Sequence, residues 1–216
     1  MKIGIFGLGR SGTSLLSKHF INNGFFIHDP NWANENKFIK KYHEKILKKR
    51  GAKNGKLPYG DPDIPLNYDS LKYDEMVKKF LSLNPTKNIV IKDPRLSLFL
   101  PHWVKHLDII IWCFRRPSEV TSSYIHHGFI NMGKKNKNIM EKYWIEFNEM
   151  VIPFLNNDNI HLIEFTDEYP LMINKIMKYH NIPITVPLPY KSKLKHFTLE
   201  KKEISLYNTL KSSLLC

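Results

Sequence analysis

The chain has 216 residues, of which 42% are hydrophobic and 25% are charged, and its formal net charge at neutral pH is +13. These proportions are ordinary for a folded globular protein, so they exclude a chain that is disordered along its whole length. No apolar run approaches the ~20 residues of a membrane-spanning helix, and two cysteines are too few for a disulfide framework.

Short apolar runs alternate with amphipathic stretches along the chain. The runs predict strands over residues 2–6, 25–28, 88–91, 108–114 and 159–165. The stretches predict helices over residues 13–23, 36–50, 74–83, 117–127, 138–155 and 170–180, the last followed by a basic tail. Strands that alternate with helices in this way predict one α/β domain over residues 1–216, with a mostly parallel, doubly wound sheet. The domain begins with a P-loop-like strand, glycine loop and helix.

Residues 7–14, Gly-Leu-Gly-Arg-Ser-Gly-Thr-Ser, form this glycine loop. Backbone N–H groups at a helix start attract anions, and glycine lets a ligand approach the backbone closely. Gly7, Gly9 and Gly12 fit the G-x-G-x-x-G pattern of dinucleotide-binding domains, and Asp29 follows about twenty residues later, where such domains place a ribose-binding acid. The loop alone therefore favours a dinucleotide.

The same loop also has the glycine spacing of a P-loop, from Gly7 to Gly12. A nucleoside triphosphatase needs a lysine directly after the second glycine, where this chain has Thr13. This difference disfavours a kinase or an NTPase.

A second pattern follows the apolar run 108–114, where Arg115 and Arg116 precede Pro117, and Ser123 comes eight residues after Arg115. A strand end and the first turns of the next helix bring a guanidinium and a hydroxyl into one concavity. A phosphate monoester is bound by this combination of charge and directed donors. Taken alone, an arginine pair at a strand end is explained equally well as a structural feature.

Together, the two patterns resemble the PAPS-dependent sulfotransferase family. That family has a Lys or Arg followed by Ser-Gly-Thr in its 5′-phosphosulfate loop, as in Arg10-Ser11-Gly12-Thr13 here. It also has an Arg at a strand end with a Pro and a Ser at the spacing of Arg115, Pro117 and Ser123. The resemblance implies that Arg115 and Ser123 hold the 3′-phosphate of PAPS. It implies that the 5′-phosphosulfate is bound by Gly9, Arg10, Ser11, Gly12, Thr13 and Ser14.

A further segment resembles the bacterial-type and protein-tyrosine branches of the family. Lys92-Asp93-Pro94-Arg95 ends a predicted strand, as a Lys-Asp-Pro element does there. The resemblance implies that Arg10 and Lys92 are catalytic cations on the transferred group. It also implies that Asp93 and Arg95 lie in the substrate-binding part of the site.

Residues 32–36, Trp-Ala-Asn-Glu-Asn, resemble a region of the same branches in which an acidic residue serves as catalytic base. That resemblance points to Glu35. Asp29 and His28 are alternatives, because they lie at the end of the predicted strand 25–28 and would project from the same edge of the sheet. The base would take a proton from the acceptor and accelerate transfer about 10²–10⁴-fold.

The resemblance covers about residues 1–130, which would form the PAPS-binding core, while residues 131–216 would form a helical and tail region. The Arg-Lys-Gly triplet that animal cytosolic members carry near the C-terminus is absent, and Lys193 and Lys195 are candidate substitutes for it. The implied reaction is in-line transfer of a sulfuryl group from PAPS to a hydroxyl or amine of an unidentified acceptor. It leaves PAP and needs no metal.

Two other functions fit part of the sequence. A Rossmann-type NAD(P)-dependent oxidoreductase explains the glycines and Asp29, but it gives no role to residues 92–95 or to the Arg115 and Ser123 pair. A basic protein that binds nucleic acid or an anionic surface explains the net charge of +13. The four tryptophans are scattered and offer no stacking platform, so a nucleic-acid partner is disfavoured.

The first predicted strand begins at residue 2 and leaves no room for a signal peptide, so we expect a cytoplasmic protein. The chain has no evident heptads, so we expect a monomer or a homodimer. His102 and His106 have helical i,i+4 spacing but no third ligand nearby in sequence, so no metal site is predicted.

Overall fold

The computed structural model of the chain describes residues 1–52, 59–83, 88–127, 134–187 and 201–213. Within these ranges four parallel strands form one sheet in the order β2-β1-β3-β4. The strands are β1 (Lys2–Phe6), β2 (Ile89–Lys92), β3 (Ile109–Phe114) and β4 (Ile160–Glu164). The fold is a single mixed α/β domain with a parallel sheet, and the predicted fold class is confirmed.

Helices cover both faces of this sheet. They are α1 (Thr13–Asn22), α2 (Lys37–Lys48), α3 (Ser70–Ser82), α4 (Leu100–Trp103), α5 (Pro117–His126), α6 (Lys134–Glu149), α7 (Tyr169–Tyr179) and α8 (Lys201–Ser212). Side chains of α1 and α7 pack on one face, and those of α2, α3, α5, α6 and α8 pack on the other. None of the helices in the described ranges is long and apolar enough to span a membrane.

Alternation along the strands divides the core into two layers. On β3, Ile111 faces the layer with α1 and α7, whereas Trp112 faces the layer with α2 and α3. β1 pairs with β3 so that Ile5 lies beside Ile111 and Phe6 beside Trp112. Neighbouring strands therefore present their apolar side chains to the same layer, and β3 is buried over its whole length.

The strand order creates a crevice at the carboxyl ends of β1 and β3. The chain leaves β1 towards α1 on one face, and it leaves β3 towards α5 on the other face. In open α/β sheets, ligands bind where neighbouring strands send their connections to opposite faces. The glycine loop after β1 and Arg115 after β3 both lie at this crevice.

The predicted strand over residues 25–28 is wrong. Only Phe26 pairs with the sheet, through a single bridge to Ile89 in β2 that is made by two backbone hydrogen bonds of 2.8 and 2.9 Å. The chain then turns at Asp29, whose φ is +40°. This left-handed conformation departs from the extended backbone of a strand and ends the pairing.

Two helix boundaries also differ from the prediction. α3 begins at Ser70 because the Asp69 side chain caps it, accepting a hydrogen bond from the Lys72 N–H over 3.1 Å. The helix predicted over residues 138–155 ends earlier. α6 ends at Glu149, and a 3₁₀ turn with Pro153 at its centre follows over Ile152–Phe154.

The prediction of no more than a basic tail is wrong for α8. Its Tyr207 and Leu210 are buried in the core. The Tyr207 hydroxyl donates to the Glu164 carboxylate at the end of β4 and accepts a hydrogen bond from Arg116 Nε over 3.3 Å. α8 therefore connects the ends of β3 and β4.

Candidate functional site

The glycine loop begins where β1 ends, and two of its glycines are required by close packing. Gly7 has a φ of +123°, and a Cβ there would lie 2.0 Å from the carbonyl oxygen of Cys113 in β3. Gly12 has a φ of +87° and precedes α1, where a Cβ would lie 2.2 Å from the ring of Phe165. The loop is therefore held between β3 and the segment that follows β4.

Arg10 connects this loop to α5. Its φ is +72°, a left-handed conformation that costs an L-residue about 1–2 kcal/mol. Its Nε donates a hydrogen bond to Ser123 Oγ over 2.9 Å. Burial lowers the pKa of Arg10, the nearby Tyr124 opposes this shift, and the charge of Arg115 adds to it.

Arg115 holds the loop from the side of β3. Its Nη1 donates to the Arg10 carbonyl over 3.1 Å, and its Nε donates to Glu119 Oε2 over 3.0 Å. The guanidinium carbon lies 5.1 Å from the centre of the Phe165 ring, within cation–π range. Two arginines, from the ends of two neighbouring strands, thus meet in one crevice.

Lys92 ends β2, and its ammonium group reaches the start of α1. Its Nζ donates to Ser14 Oγ over 3.0 Å and to the Ala33 carbonyl over 3.1 Å, and it lies 3.5 Å from Glu35 Oε1. Burial lowers the pKa of Lys92, and attraction to Glu35 opposes that shift. The ammonium adds positive charge beside a helix N-terminus, which already favours anions.

Glu35 is held on both carboxylate oxygens. Besides the Lys92 contact, its Oε2 accepts hydrogen bonds from Asn31 Nδ2 over 2.9 Å and from Arg95 Nη2 over 3.3 Å. Lys40 Nζ lies 3.4 Å from the same oxygen. The Glu35 carboxylate therefore has a defined position beside the Lys92 ammonium group.

The other two candidate bases make different contacts. Asp29 forms an ion pair with Lys37 over 2.9 Å, and its side chain is 54% exposed. The ring of His28 packs edge to face against Phe80 in α3, with ring centroids 6.0 Å apart. The structure thus brings Glu35 to Lys92, while Asp29 pairs with α2 and His28 packs against α3.

Asp93 and Arg95 form a buried pair that supports Glu35. Arg95 donates to the two Asp93 oxygens over 2.8 Å from Nε and 2.9 Å from Nη2. Burial raises the pKa of Asp93, but the Arg95 charge and the nearby His43, whose Nδ1 lies 3.7 Å from Asp93 Oδ1, outweigh it and hold the pKa far below its usual range. Asp93 is fully buried. Its carboxylate is therefore closed off from a substrate, and it is linked to Glu35 only through Arg95 among the contacts described.

Tyr59 and Tyr124 form a hydroxyl pair against the loop that the sequence did not predict. Their oxygens are 2.8 Å apart, and a Cβ on Gly9 would lie 2.3 Å from the Tyr124 oxygen and 2.6 Å from the Tyr59 oxygen. Burial raises the pKa of Tyr59 to about 12, so its hydroxyl stays protonated at neutral pH. Tyr124 directly follows Ser123, but Tyr59 lies in a Gly- and Pro-rich stretch that carries no motif.

Lys193 and Lys195 are outside the described residues. Among the residues that the structure does describe, no group of three or more His, Cys, Asp or Glu side chains is arranged to hold a metal ion. His102 is hydrogen-bonded to Asp74 over 2.8 Å and to Tyr68 over 2.9 Å.

The arrangement can bind an anion with two charged ends. The backbone before α1, with Lys92, forms one end, and Arg115 with Ser123 forms the other. Arg10, which belongs to the glycine loop, contacts the second end through both Ser123 and Arg115. Comparison with protein-family models gives no match for the chain, and comparison with curated proteins gives none either. The assignment of a function therefore depends on the residues of the site.

Proposed function

We propose that the chain is a PAPS-dependent sulfotransferase, which transfers a sulfuryl group from PAPS to a hydroxyl or amine of an acceptor and releases PAP. The observation that carries this proposal is the 2.9 Å hydrogen bond between Arg10 and Ser123, which are 113 positions apart in the sequence. The resemblance assigns Arg10 to the 5′-phosphosulfate of the donor and Ser123 to its 3′-phosphate. Their contact supports a ligand that carries both groups.

Donor binding would combine charge with directed hydrogen bonds. The N–H groups before and at the start of α1 would bind the 5′-phosphate, together with the hydroxyl of Ser14. Arg10 and Lys92 would contact the sulfuryl and bridging oxygens, and Arg115 with Ser123 would bind the 3′-phosphate. Each charged group of the donor would then meet a cation of the protein.

Glu35 is the proposed base. The acceptor oxygen or nitrogen attacks sulfur while its proton passes to Glu35. The bond between sulfur and the bridging oxygen breaks, and its electron pair leaves on the 5′-phosphate of PAP. Lys92 contacts both Glu35 and Ser14, so it lies between the base and the loop that would hold the leaving group. Positioning and electrostatic stabilisation supply most of the catalysis in transfers of this kind.

Thermal unfolding with a panel of nucleotides tests the donor assignment, because a ligand that binds only the folded state raises Tm. At a concentration of about 100 Kd, we expect PAP to raise Tm by about 5–10 °C. AMP, which lacks the 3′-phosphate, should raise it less. A rise with NADP and none with PAP would indicate an oxidoreductase instead. Salt-sensitive DNA binding without a response to PAP would indicate a nucleic-acid-binding protein.

The Ser123→Ala variant tests the 3′-phosphate end directly. Loss of one hydrogen bond to a charged group should weaken PAP binding about tenfold and leave AMP binding unchanged. Ser122→Ala, one position earlier on α5, is the matched control and should bind both nucleotides normally. An equal loss of PAP and AMP affinity in Ser123→Ala would contradict the assignment.

A further inference from the structure

Trp32 lies at the mouth of the proposed active site. It is 90% exposed, more than any other large hydrophobic side chain in the described ranges. Its sequence neighbours contact the catalytic groups. The Ala33 carbonyl accepts a hydrogen bond from Lys92 over 3.1 Å, and the Asn31 amide donates one to Glu35 over 2.9 Å. The indole ring is therefore open to a molecule that approaches Glu35.

The loop that carries Trp32 is fixed by its own hydrogen bonds. The side-chain oxygen of Asn31 accepts from the N–H groups of Ala33 and Glu35 over 2.8 and 2.9 Å. The Asn31 N–H donates to the Glu35 carbonyl over 2.9 Å, and the Asn31 carbonyl accepts from the Asn34 N–H over 3.0 Å. The exposure of Trp32 thus belongs to a defined conformation, which keeps the entropy cost of binding a ligand low.

The same hydrogen bonds argue against an extended peptide as the ligand of this loop. Peptides are commonly recognised through main-chain bonds to a free strand edge. Here the N–H groups of residues 31 and 33–35 bond within the loop, and those of Asn36 and Lys37 bond to the Lys92 and Asp29 carbonyls. Recognition at this loop must therefore come from side chains.

A row of lysines leads away from the loop along α2. The helix begins at Lys37, and Lys41, Lys45 and Lys48 follow on its exposed side. Successive charges are about 4.5–6 Å apart along the axis, because they are three or four residues apart and the helix rises 1.5 Å per residue. The last three have no ion-pair partner in the part of the chain that the structure describes, so their charges are available to an anionic ligand.

We propose that Trp32 and the lysines of α2 form the acceptor subsite, and that the acceptor is an anionic oligosaccharide. This proposal rests on the proposed function, since it takes Glu35 as the base. The negative face of an indole ring attracts the C–H groups of a sugar ring. The row of lysine charges attracts a chain that carries negative charges along its length. A sugar stacked on Trp32 would present a hydroxyl to Glu35, and the rest of the chain would follow α2.

Calorimetric titration in the presence of PAP tests the subsite. The probe is an unsulfated octasaccharide in which glucuronic acid alternates with an N-acetylhexosamine. Two comparison probes are the same octasaccharide with its carboxylates reduced to alcohols and an acidic tyrosine-containing peptide of equal charge. We expect the acidic octasaccharide to bind, with an affinity that falls as salt is added, and the neutral form to bind at least tenfold more weakly.

Two variants and two controls test where on the protein the octasaccharide binds. Trp32→Ala should weaken the acidic octasaccharide about tenfold, and the double variant Lys41→Ser/Lys45→Ser should do the same. The control for the ring is Leu71→Ala, at a side chain of α3 that is 76% exposed. The control for charge is Lys175→Ser/Lys178→Ser on α7, which packs on the other face of the sheet. Both controls should bind the octasaccharide normally, and all four variants should keep the PAP-dependent rise in Tm.

The outcomes separate this subsite from the donor assignment. No binding of the acidic octasaccharide, equal binding of its neutral form, tighter binding of the peptide, or normal binding by Trp32→Ala would each overturn the subsite. If PAP does not bind but the octasaccharide and variants behave as expected, the anionic-sugar site stands and the sulfotransferase function falls. If PAP binds and the octasaccharide does not, the sulfotransferase proposal stands and the anionic-sugar subsite falls.

Discussion

The donor side and the acceptor side of the proposed site are built in different ways. On the donor side, backbone geometry dominates, with positive φ angles at Gly7, Arg10 and Gly12 and close packing against β3. On the acceptor side, ion pairs dominate, and three cations, Lys92, Arg95 and Lys40, lie within 3.5 Å of the Glu35 carboxylate. We therefore expect the donor side to be sensitive to added atoms, and the acceptor side to be sensitive to changes of charge.

The largest effect is expected at Glu35. Glu35→Gln keeps the size of the side chain but removes the proton acceptor, so PAPS turnover should fall about 10³-fold. PAP binding should be kept. The measurement is release of PAP from PAPS under single-turnover conditions with the acidic octasaccharide as acceptor, and thermal shift reports PAP binding.

Asp29→Asn is the matched control for this charge change and should retain normal turnover. Its side chain pairs with Lys37 at the surface. Loss of turnover in Asp29→Asn together with normal turnover in Glu35→Gln would move the base to Asp29.

Arg10→Ala should reduce PAPS turnover about 10²-fold, because a cation that stabilises the charge developing on the leaving group is lost. PAP affinity should change by only a few-fold, since PAP lacks the sulfuryl group. Arg10→Gly separates chemistry from backbone strain, because glycine adopts the φ of +72° freely. Normal turnover in Arg10→Gly would show that the backbone, and not the guanidinium, is what matters.

Gly7→Ala should lower the free energy of unfolding by about 3 kcal/mol, because its Cβ would lie 2.0 Å from a backbone oxygen of β3. Gly24→Ala is the control. It has a similar positive φ of +88° but no atom within 4 Å of the added Cβ, so only the backbone cost of about 1 kcal/mol remains. Urea unfolding of both variants gives the difference, and equal losses would contradict the packing of the loop against Cys113.

The smallest effect is expected away from the site, at the His161 and His180 pair, whose Nε2 atoms are 2.7 Å apart. Burial, with a smaller effect of His180, lowers the pKa of His161 to about 4, from 6.5. The unfolded chain therefore binds the proton more readily, so stability is full above about pH 6.5 and falls as the pH drops towards 4. Because the ring is partly exposed, solvent screening reduces this to about 1 kcal/mol.

A series of Tm measurements between pH 7 and pH 4.5 checks this dependence. His161→Phe should flatten the curve in that window, because one of the two titrating rings is gone. An unchanged slope in His161→Phe would contradict the assignment to this pair.

The sequence could predict the parts of the site that are contiguous motifs, but not the contacts between residues that are far apart in the chain. The glycine loop and the Arg115 segment are contiguous motifs, and β1 and the start of α1 agree with the pattern that predicts them. The pairing of Tyr59 with Tyr124 spans 65 positions, and nothing local to either residue encodes it. The link from Asp93 to Glu35 likewise depends on Arg95, which donates to both carboxylates, and Glu35 is 60 positions from Arg95 in the sequence.

The strand predicted over residues 25–28 failed for a related reason. Its run of apolar residues has the right propensity, and Phe25 and Ile27 are indeed buried. Propensity does not include the left-handed turn at Asp29, where φ is +40°.

The single bridge at Phe26 has a consequence for how the molecule behaves in concentrated solution. β2 is the outermost strand on its side of the sheet, and an outer strand with free N–H and C=O groups is a template for pairing with another copy. Phe26 occupies part of that edge, and the turn at Asp29 carries the chain away before it can offer a new straight edge of its own. The short, twisted segment thus protects the sheet from edge-to-edge aggregation on this side.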